Sequence, residues 1–265
     1  MRLVPIASGS SGNCIYVGSE STHLLVDAGI SAKRIVEGIN SLELNTDDID
    51  GLLITHEHVD HIGGLGVICR KYNIPVYGTE KTIDAIKNYD KLGPVENDVF
   101  HCIIPDESFI VKDIKVNSFR TSHDCADPVA YTFENGNKKV AIATDLGTYS
   151  DYTIDNLQNL DALLLEANHD IRMLQVGPYP YWLKQRILSD EGHLSNENAG
   201  KLLSRILNDN IKRVFLGHLS KENNMPELAY EAVRVEIELA DNEYHANDFD
   251  ISVARRDCVS PVIVV

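Results

Sequence analysis

The sequence predicts an α/β protein in which sheets are covered by helices, and three observations predict it. Short apolar runs of strand length alternate with stretches whose apolar residues recur at helical spacing. No linker-like break, repeat or low-complexity tract divides the 265 residues, which points to one continuous domain over residues 1–265. Several of the apolar runs end directly on His, Asp or Glu, as strands do where an α/β protein carries its site.

Taken in order, the first part is strand-rich, with IYVGS, THLLVDAG and the run GLLIT at 51 to 55. GGLGVICRKYN (63 to 73) reads as a helix, and IPVYGT followed by KTIDAIKNY gives a further strand and helix. SFIVKD and IKVNSFRTSHD are strands, and PVAYTFENGNKKVAIATDLG is a hairpin in which Asn135 and Gly136 suit a tight turn with positive φ. From 162 the alternation resumes: the strand ALLLEANHD, the helix SNENAGKLLSRILNDN, the strand RVFLGH, the helix PELAYEAVRVEIELADN and a final strand DISVARR.

Composition narrows the class. No stretch reaches the roughly 18 apolar residues of a membrane span, and MRLVPIASGSSGN has no basic region followed by a long apolar segment. The expectation is a soluble cytoplasmic protein with no membrane association and no obligate protein partner. The five cysteines are odd in number and form no CxxC pair, which argues against a disulfide framework or a thiolate zinc cluster. Cys125, two positions beyond His123, either packs as a small apolar group or approaches a metal. A net charge of -16 is unfriendly to a nucleic-acid partner, although bound dications and a local basic path would offset it. One segment offers such a path: in residues 170 to 192, Arg172, Lys184 and Arg186 are interleaved with Tyr179, Tyr181 and Trp182, the only tryptophan. Aromatics beside cations can stack bases and hold phosphates; the same segment also reads as a surface excursion packed by its own aromatics.

The strongest chemical signal is ITHEHVDHIGG (54 to 64), which holds His56, His58, Asp60 and His61 where a strand meets a helix. Continued extension points His56 and His58 the same way, because the side-chain period is two. Asp60 and His61 then turn with the chain. Imidazole and carboxylate sets of this kind suit transition metals, and zinc, manganese and iron all accept them. SFRTSHD presents His123, VAIATDLG presents Asp145 and RVFLGHLS presents His218, each after a strand. The expected partition gives His56, His58 and His123 to one ion and Asp60, His61 and His218 to a second, with Asp145 between them. A water or hydroxide shared by two dications would be acidic enough to act as a nucleophile at neutral pH.

VDAG (26 to 29), THEHVDHIGG, the His123 segment, ATDLG and GHLS occur in the order typical of the metallo-β-lactamase fold and span most of the chain. The sequence resembles a complete two-metal member of that superfamily. The resemblance implies a four-layer αββα sandwich with the site along one edge of the facing sheets. It also implies that Asp27 is a carboxylate orienting the metal-binding histidines, where otherwise it would only begin an Asp-Ala-Gly corner.

A further resemblance concerns residues 191 to 220, which carry a His-Leu-Ser element at either end. This is similar to phosphodiester-cleaving members such as the transfer-RNA 3′ processing enzymes. It implies that His193 is the general acid for the departing sugar oxygen, oriented by Glu166 in LLLEANHD. Otherwise His193 merely precedes a helix begun by Ser195. His169, near Glu166, is a candidate substrate contact. LVPIASGSSGNCIYV, EANHD and LGHLSKENN together resemble the YycJ/WalJ group of bacterial hydrolases. That resemblance implies a DNA exonuclease acting from 5′ ends in DNA repair. The loop Ala7 to Asn13 is either a place where backbone amides approach a phosphate or a plain strand-to-strand turn. A small-molecule ester, thioester or cyclic phosphodiester hydrolase would share the metal site without needing His193, and a scaffold with a vestigial site is disfavoured because no ligand position is replaced.

Overall fold

The computed structural model describes residues 1–265. Strands β1 (Arg2–Ala7), β2 (Cys14–Gly18), β3 (His23–Val26), β4 (Gly51–Leu53), β5 (Val76–Thr79) and β6 (Phe100–Ile103) lie side by side in one sheet. A second sheet holds β7 (Phe109–Val111), β8 (Ile114–Arg120), β9 (Val129–Asn135), β10 (Lys138–Ala143), β11 (Ala162–Glu166), β12 (Arg213–Gly217) and β13 (Asp250–Val253). The last strand, β14 (Ile263–Val264), returns to pair antiparallel with β1 and completes the first sheet. The helices are α1 (Ala32–Ser41), α2 (Val59–Ile62), α3 (Leu65–Tyr72), α4 (Glu80–Lys87), α5 (Asp151–Asn156), α6 (Ile171–Val176), α7 (Tyr181–Ile187), α8 (Asn196–Ile206) and α9 (Pro226–Leu239).

The layering follows from the two-residue period of the strands. In the first sheet Leu3, Ile15, Val17, Leu24 and Val26 turn inward and meet Val140, Ile142, Leu164 and Phe215 of the second sheet. Their sequence neighbours Val4, Tyr16 and Leu25 turn outward and pack with Ile35, Ile39 and Ile68 of α1 and α3. On the far side Ala141, Leu163, Leu165, Val214 and Leu216 pack with Leu202 and Leu203 of α8 and Val233 and Ile237 of α9. The central strands are apolar on both faces because both faces are covered, as parallel sheets require. The result is the four-layer αββα sandwich.

Strands β3 to β6 are parallel to one another, and so are β10 to β13. The parallel sets therefore bring several carboxyl ends together on one edge. Two hydrogen bonds clamp the sheets there: Val129 N–H donates to Thr55 O at 3.1 Å, and the Tyr131 hydroxyl donates to Ile54 O at 2.8 Å.

The hairpin differs from its expected form in one residue. Asn135 still belongs to β9 and pairs with Lys138, so the two turn residues are Gly136 and Asn137. Only Gly136 has positive φ, at 61°. Positive φ at the first central position alone fits a type II′ turn better than a type I′ turn, which needs it at both, and glycine is the residue that position favours.

Candidate metal centre

Asp27 follows β3, Asp145 follows β10 and His218 follows β12, and all three non-glycine residues adopt left-handed backbone, with φ of 61°, 61° and 55°. Such conformations cost of order 1–3 kcal/mol each and persist where the surroundings over-determine them. Here each turns a side chain off the end of its strand toward the joint between the sheets. Gly29 completes the corner after Asp27: a Cβ on it would sit 1.6 Å from the carbonyl oxygen of Asp60, so only glycine lets α2 approach so closely.

His56, His58 and His123 form one half of the cluster. Nε2 of His56 is 3.0 Å from Nδ1 of His58, which is 3.2 Å from Nε2 of His123. The far nitrogens are anchored: His123 Nδ1 bonds the carbonyl of Gly192 at 2.9 Å, and His56 Nδ1 lies 3.0 Å from the Thr55 hydroxyl. With their protons used outward, the inner nitrogens of His56 and His123 present lone pairs to one point.

Asp60, His61 and His218 form the other half. His61 Nδ1 bonds Asp27 Oδ2 at 2.7 Å and His218 Nδ1 bonds Glu166 Oε1 at 2.9 Å. Their Nε2 atoms again face inward, 3.5 and 3.4 Å from Asp60 Oδ2. Asp145 lies between the halves, with Oδ2 3.3 Å from His61 Nε2 and Oδ1 3.6 Å from His218 Nε2 and 3.7 Å from His123 Nε2. Glu166 is a buried hub. Oε1 also accepts from His193 Nδ1 at 2.8 Å, and Oε2 accepts the backbone N–H of Leu146 at 2.8 Å and of Leu194 at 3.1 Å. One carboxylate thus holds both His193 and His218.

The two halves differ electrically. Burial, and then neighbouring His61, His123 and His58, push His56 well below the ordinary imidazole value. Burial opposes charge on His61 and His218 too, but Asp145, Asp27 and Asp60 outweigh it at His61, which is held well above the usual range. Asp145, Asp60 and Glu166 likewise raise His218 to about 10 despite its burial. In return Asp60 is held well below the usual carboxylate range against its own desolvation, and Glu166 is held low by His193 and His218.

These residues fit divalent ions. Tetrahedral coordination at about 2.0–2.1 Å puts neighbouring ligand atoms about 3.3 Å apart, which is the spacing that His56, His58 and His123 already have. Asp145 Oδ2 is buried and accepts no hydrogen bond, a costly state for a carboxylate oxygen that a cation would relieve. Four of the five imidazoles donate or hold their other ring nitrogen against an oxygen, the arrangement that fixes a ligand histidine's tautomer.

The segment between Glu166 and His193 is less uniform than its sequence suggests. Helix α7 buries none of its residues; Tyr181 is 76% and Trp182 66% exposed, and Arg172 is exposed on α6. Lys184 Nζ donates to Gln175 O at 2.8 Å, and Arg186 forms a two-point ion pair with Asp124 beside His123, so Arg186 is not a free cation. His169 is only 1% exposed with neither ring nitrogen hydrogen-bonded, so it presents almost no surface to a strand. Two residues were not singled out from sequence. The Thr55 hydroxyl touches Asp27, His56 and His61, at 2.9, 3.0 and 3.2 Å. Asn13 Nδ2 lies 3.2 Å from His61 Nε2, while its Oδ1 accepts Gly9 N–H at 3.0 Å. Thr55 sits inside the histidine motif and Asn13 ends the Gly/Ser loop, but nothing in their spacing shows the contact.

The family model of the metallo-beta-lactamase superfamily matches residues 7–218. The chain is 45% identical to the exodeoxyribonuclease YycJ of Bacillus anthracis over 84% of each protein. It is 44% identical to the exodeoxyribonuclease WalJ of Streptococcus pneumoniae, over 85% of this chain and 84% of that protein. Among solved structures, Zn(2+)-bound PqqB from Methylobacterium extorquens superposes over 100% of both chains with a TM-score of 0.73 at 18% identity. The human short-form tRNase Z does so over 100% of both with a TM-score of 0.67 at 17% identity, a likeness of fold. By the span of the family match and by its identity to these relatives, the chain belongs to the metallo-beta-lactamase superfamily.

Proposed function

We propose that this protein is a phosphodiesterase dependent on two divalent ions, a DNA exonuclease acting from 5′ ends with a role in DNA repair, contained in one hydrolase domain and working in the cytoplasm. The names of the YycJ and WalJ relatives support the nuclease class. The observation that carries the mechanism is the pair His193–Glu166, set beside the ion-sized clusters and sharing its carboxylate with His218.

His56, His58 and His123 would hold one ion and Asp60, His61 and His218 the other, with Asp145 reaching both; manganese, zinc and iron all suit the donor set. Bound there, such ions polarise a phosphodiester and activate water for attack. The chain's own residues do the rest. Glu166 fixes the His193 ring through Nδ1 and leaves Nε2 to give a proton to the departing sugar oxygen. Asp27 and Thr55 fix His61 and His56 in orientation. The exposed Tyr181, Trp182 and Arg172, with half-buried Lys184, offer groups on which bases can stack and phosphates rest.

The experiment is a substrate panel: end-labelled single- and double-stranded DNA, RNA, a nitrophenyl phosphodiester and a thioester, each with added manganese or zinc. The expected result is metal-dependent stepwise shortening of DNA from the 5′ end. Thioester turnover without DNA cleavage would overturn the proposal.

A further inference from the structure

A cavity of about 490 Å³ opens beside the metal centre, between the Ala7–Asn13 loop, the loop after β12 and the segment after β13. Its lining includes Ser8, Ser220, Lys221, Arg255 and Arg256. In a chain with 24 basic and 40 acidic residues, three cations on one cavity are unexpected, and none of the three forms an ion pair. The one carboxylate on the wall, Asp257, lies 3.9 Å from Arg34.

Neutral acceptors hold the two arginines instead. Arg256 donates to Leu219 O at 2.6 Å and to the Ser11 hydroxyl at 3.2 Å, and its guanidinium lies over Gly9, where a Cβ would come within 2.6 Å of Nη1. Arg255 donates to Val259 O at 3.3 Å. Lys221 and Arg255 are exposed, and Arg256 is half-buried. Cations whose charge is not spent on a carboxylate leave the cavity wall open to an external anion.

The cavity is joined to the metal centre by its own wall. Ser8 Oγ accepts the backbone N–H of His218 at 3.0 Å, and Ser8 N–H donates to Arg255 O at 3.1 Å. Ser220, also on the wall, follows His218 by two residues, so no more than about 7 Å of chain separates them. That is the scale of one or two nucleotides.

We propose that this cavity binds a phosphate of the nucleic-acid strand next to the bond being cleaved, with Lys221 and Arg255 as the contacting cations and Arg256 bracing the loop beneath them. The inference rests on the phosphodiesterase reading and deepens it: in a protein of net charge -16, a local cationic cavity is what lets a polyanion settle at the edge. The phosphate is either a terminal one or an internal diester, and the test separates them.

The test is equilibrium binding, read by fluorescence anisotropy in EDTA, of one labelled oligodeoxynucleotide made with a 5′-phosphate and with a 5′-hydroxyl, across a range of salt. For the full-length double variant Lys221→Gln/Arg255→Gln, Kd should rise about tenfold or more, and the slope of log Kd against log salt should fall by roughly 1.4 to 1.8, as expected for two lost contacts. The charge-conserving variant Lys221→Arg/Arg255→Lys should recover most of the affinity. A terminal phosphate is the ligand if the 5′-hydroxyl strand binds wild-type protein as weakly as the phosphorylated strand binds the double variant; an internal diester is the ligand if both strands bind wild-type protein alike. Equal Kd and slope for wild type and double variant, or no binding by wild type, would overturn the subsite. Cavity-dependent binding without metal-dependent cleavage would instead overturn the phosphodiesterase reading, so the two failures are distinguishable.

Discussion

The two halves of the edge use the same side chain for different electrical ends. His56, His58 and His123 meet with no carboxylate bonded to any of the three, and His56 is driven toward the neutral ring. His61 and His218 stand among Asp27, Asp60, Asp145 and Glu166, whose charges outweigh burial and favour positive charge at this half. Two unit charges about 4 Å apart attract by roughly 4 kcal/mol at the effective dielectric of a protein. A dication entering the carboxylate half therefore gains far more than one entering the imidazole half. On the two-ion reading the comparison teaches that the ions need not be equivalent, and the tighter one is expected in the carboxylate half.

The largest effect on metal binding is expected at the residue the halves share. Asp145→Ala should weaken both ions and lower phosphodiester turnover by roughly 10³-fold, equivalent to about 4 kcal/mol of transition-state stabilisation. Elemental analysis that finds both ions retained would remove Asp145 from between them. Asp60→Ala should abolish the tighter ion, whereas His58→Ala should abolish only the weaker; loss of the same ion in both variants would erase the distinction between the halves. Next comes Asp27→Ala, which should weaken metal binding by roughly 10- to 100-fold on the His61 side alone while the protein stays folded. An unchanged titration would reduce Asp27 to a corner residue.

Glu166→Gln tests the hub. A carboxylate that only orients His193 would leave the metals alone; the shared Oε1 changes that expectation, because His218 loses the same partner. About tenfold losses are expected in both cleavage rate and affinity on the carboxylate side. Loss of rate with fully retained metal would return Glu166 to His193 only. The smallest effect is expected on the exposed face: Arg172→Gln with Lys184→Gln should raise the Michaelis constant for DNA a few-fold and flatten its salt dependence. Arg186→Gln should do less to the salt slope than either, since Asp124 already neutralises it. Indifference of DNA turnover to all three would place the strand elsewhere.

Much of this architecture can be read from local pattern because it is local. Strand ends carrying His56, His123, Asp145 and His218 are visible as apolar runs that stop at a ligand-type residue, and the structure has each of them at the same edge. Helix α1 was not read, although Ser31 caps it by accepting the N–H of Arg34 and Ile35 and Ile39 form its buried face; its run of charged and small residues hides the stripe. Thr55 is legible only once Asp27 and His61, 34 positions apart, are known to touch. The double use of Glu166 joins residues 27 and 52 positions away, and no periodicity encodes a bond shared by two loops. Arg255 and Arg256 are visible in the sequence as an alternative basic path, but their cavity is not, because Ser8, Lys221 and Arg255 come from three separate connections.

The most direct measurement concerns His193, which belongs to neither half. Cleavage of DNA and of a nitrophenyl phosphodiester should be compared in wild type and His193→Ala, with bound metal measured in both. The expected result is full metal content, DNA cleavage slowed by roughly 10² to 10⁴-fold, and a much smaller loss on the nitrophenyl substrate, whose leaving group needs no proton. Equal slowing of both substrates, or loss of an ion, would make His193 a ligand or a fold element and contradict the assignment of this edge to strand cleavage.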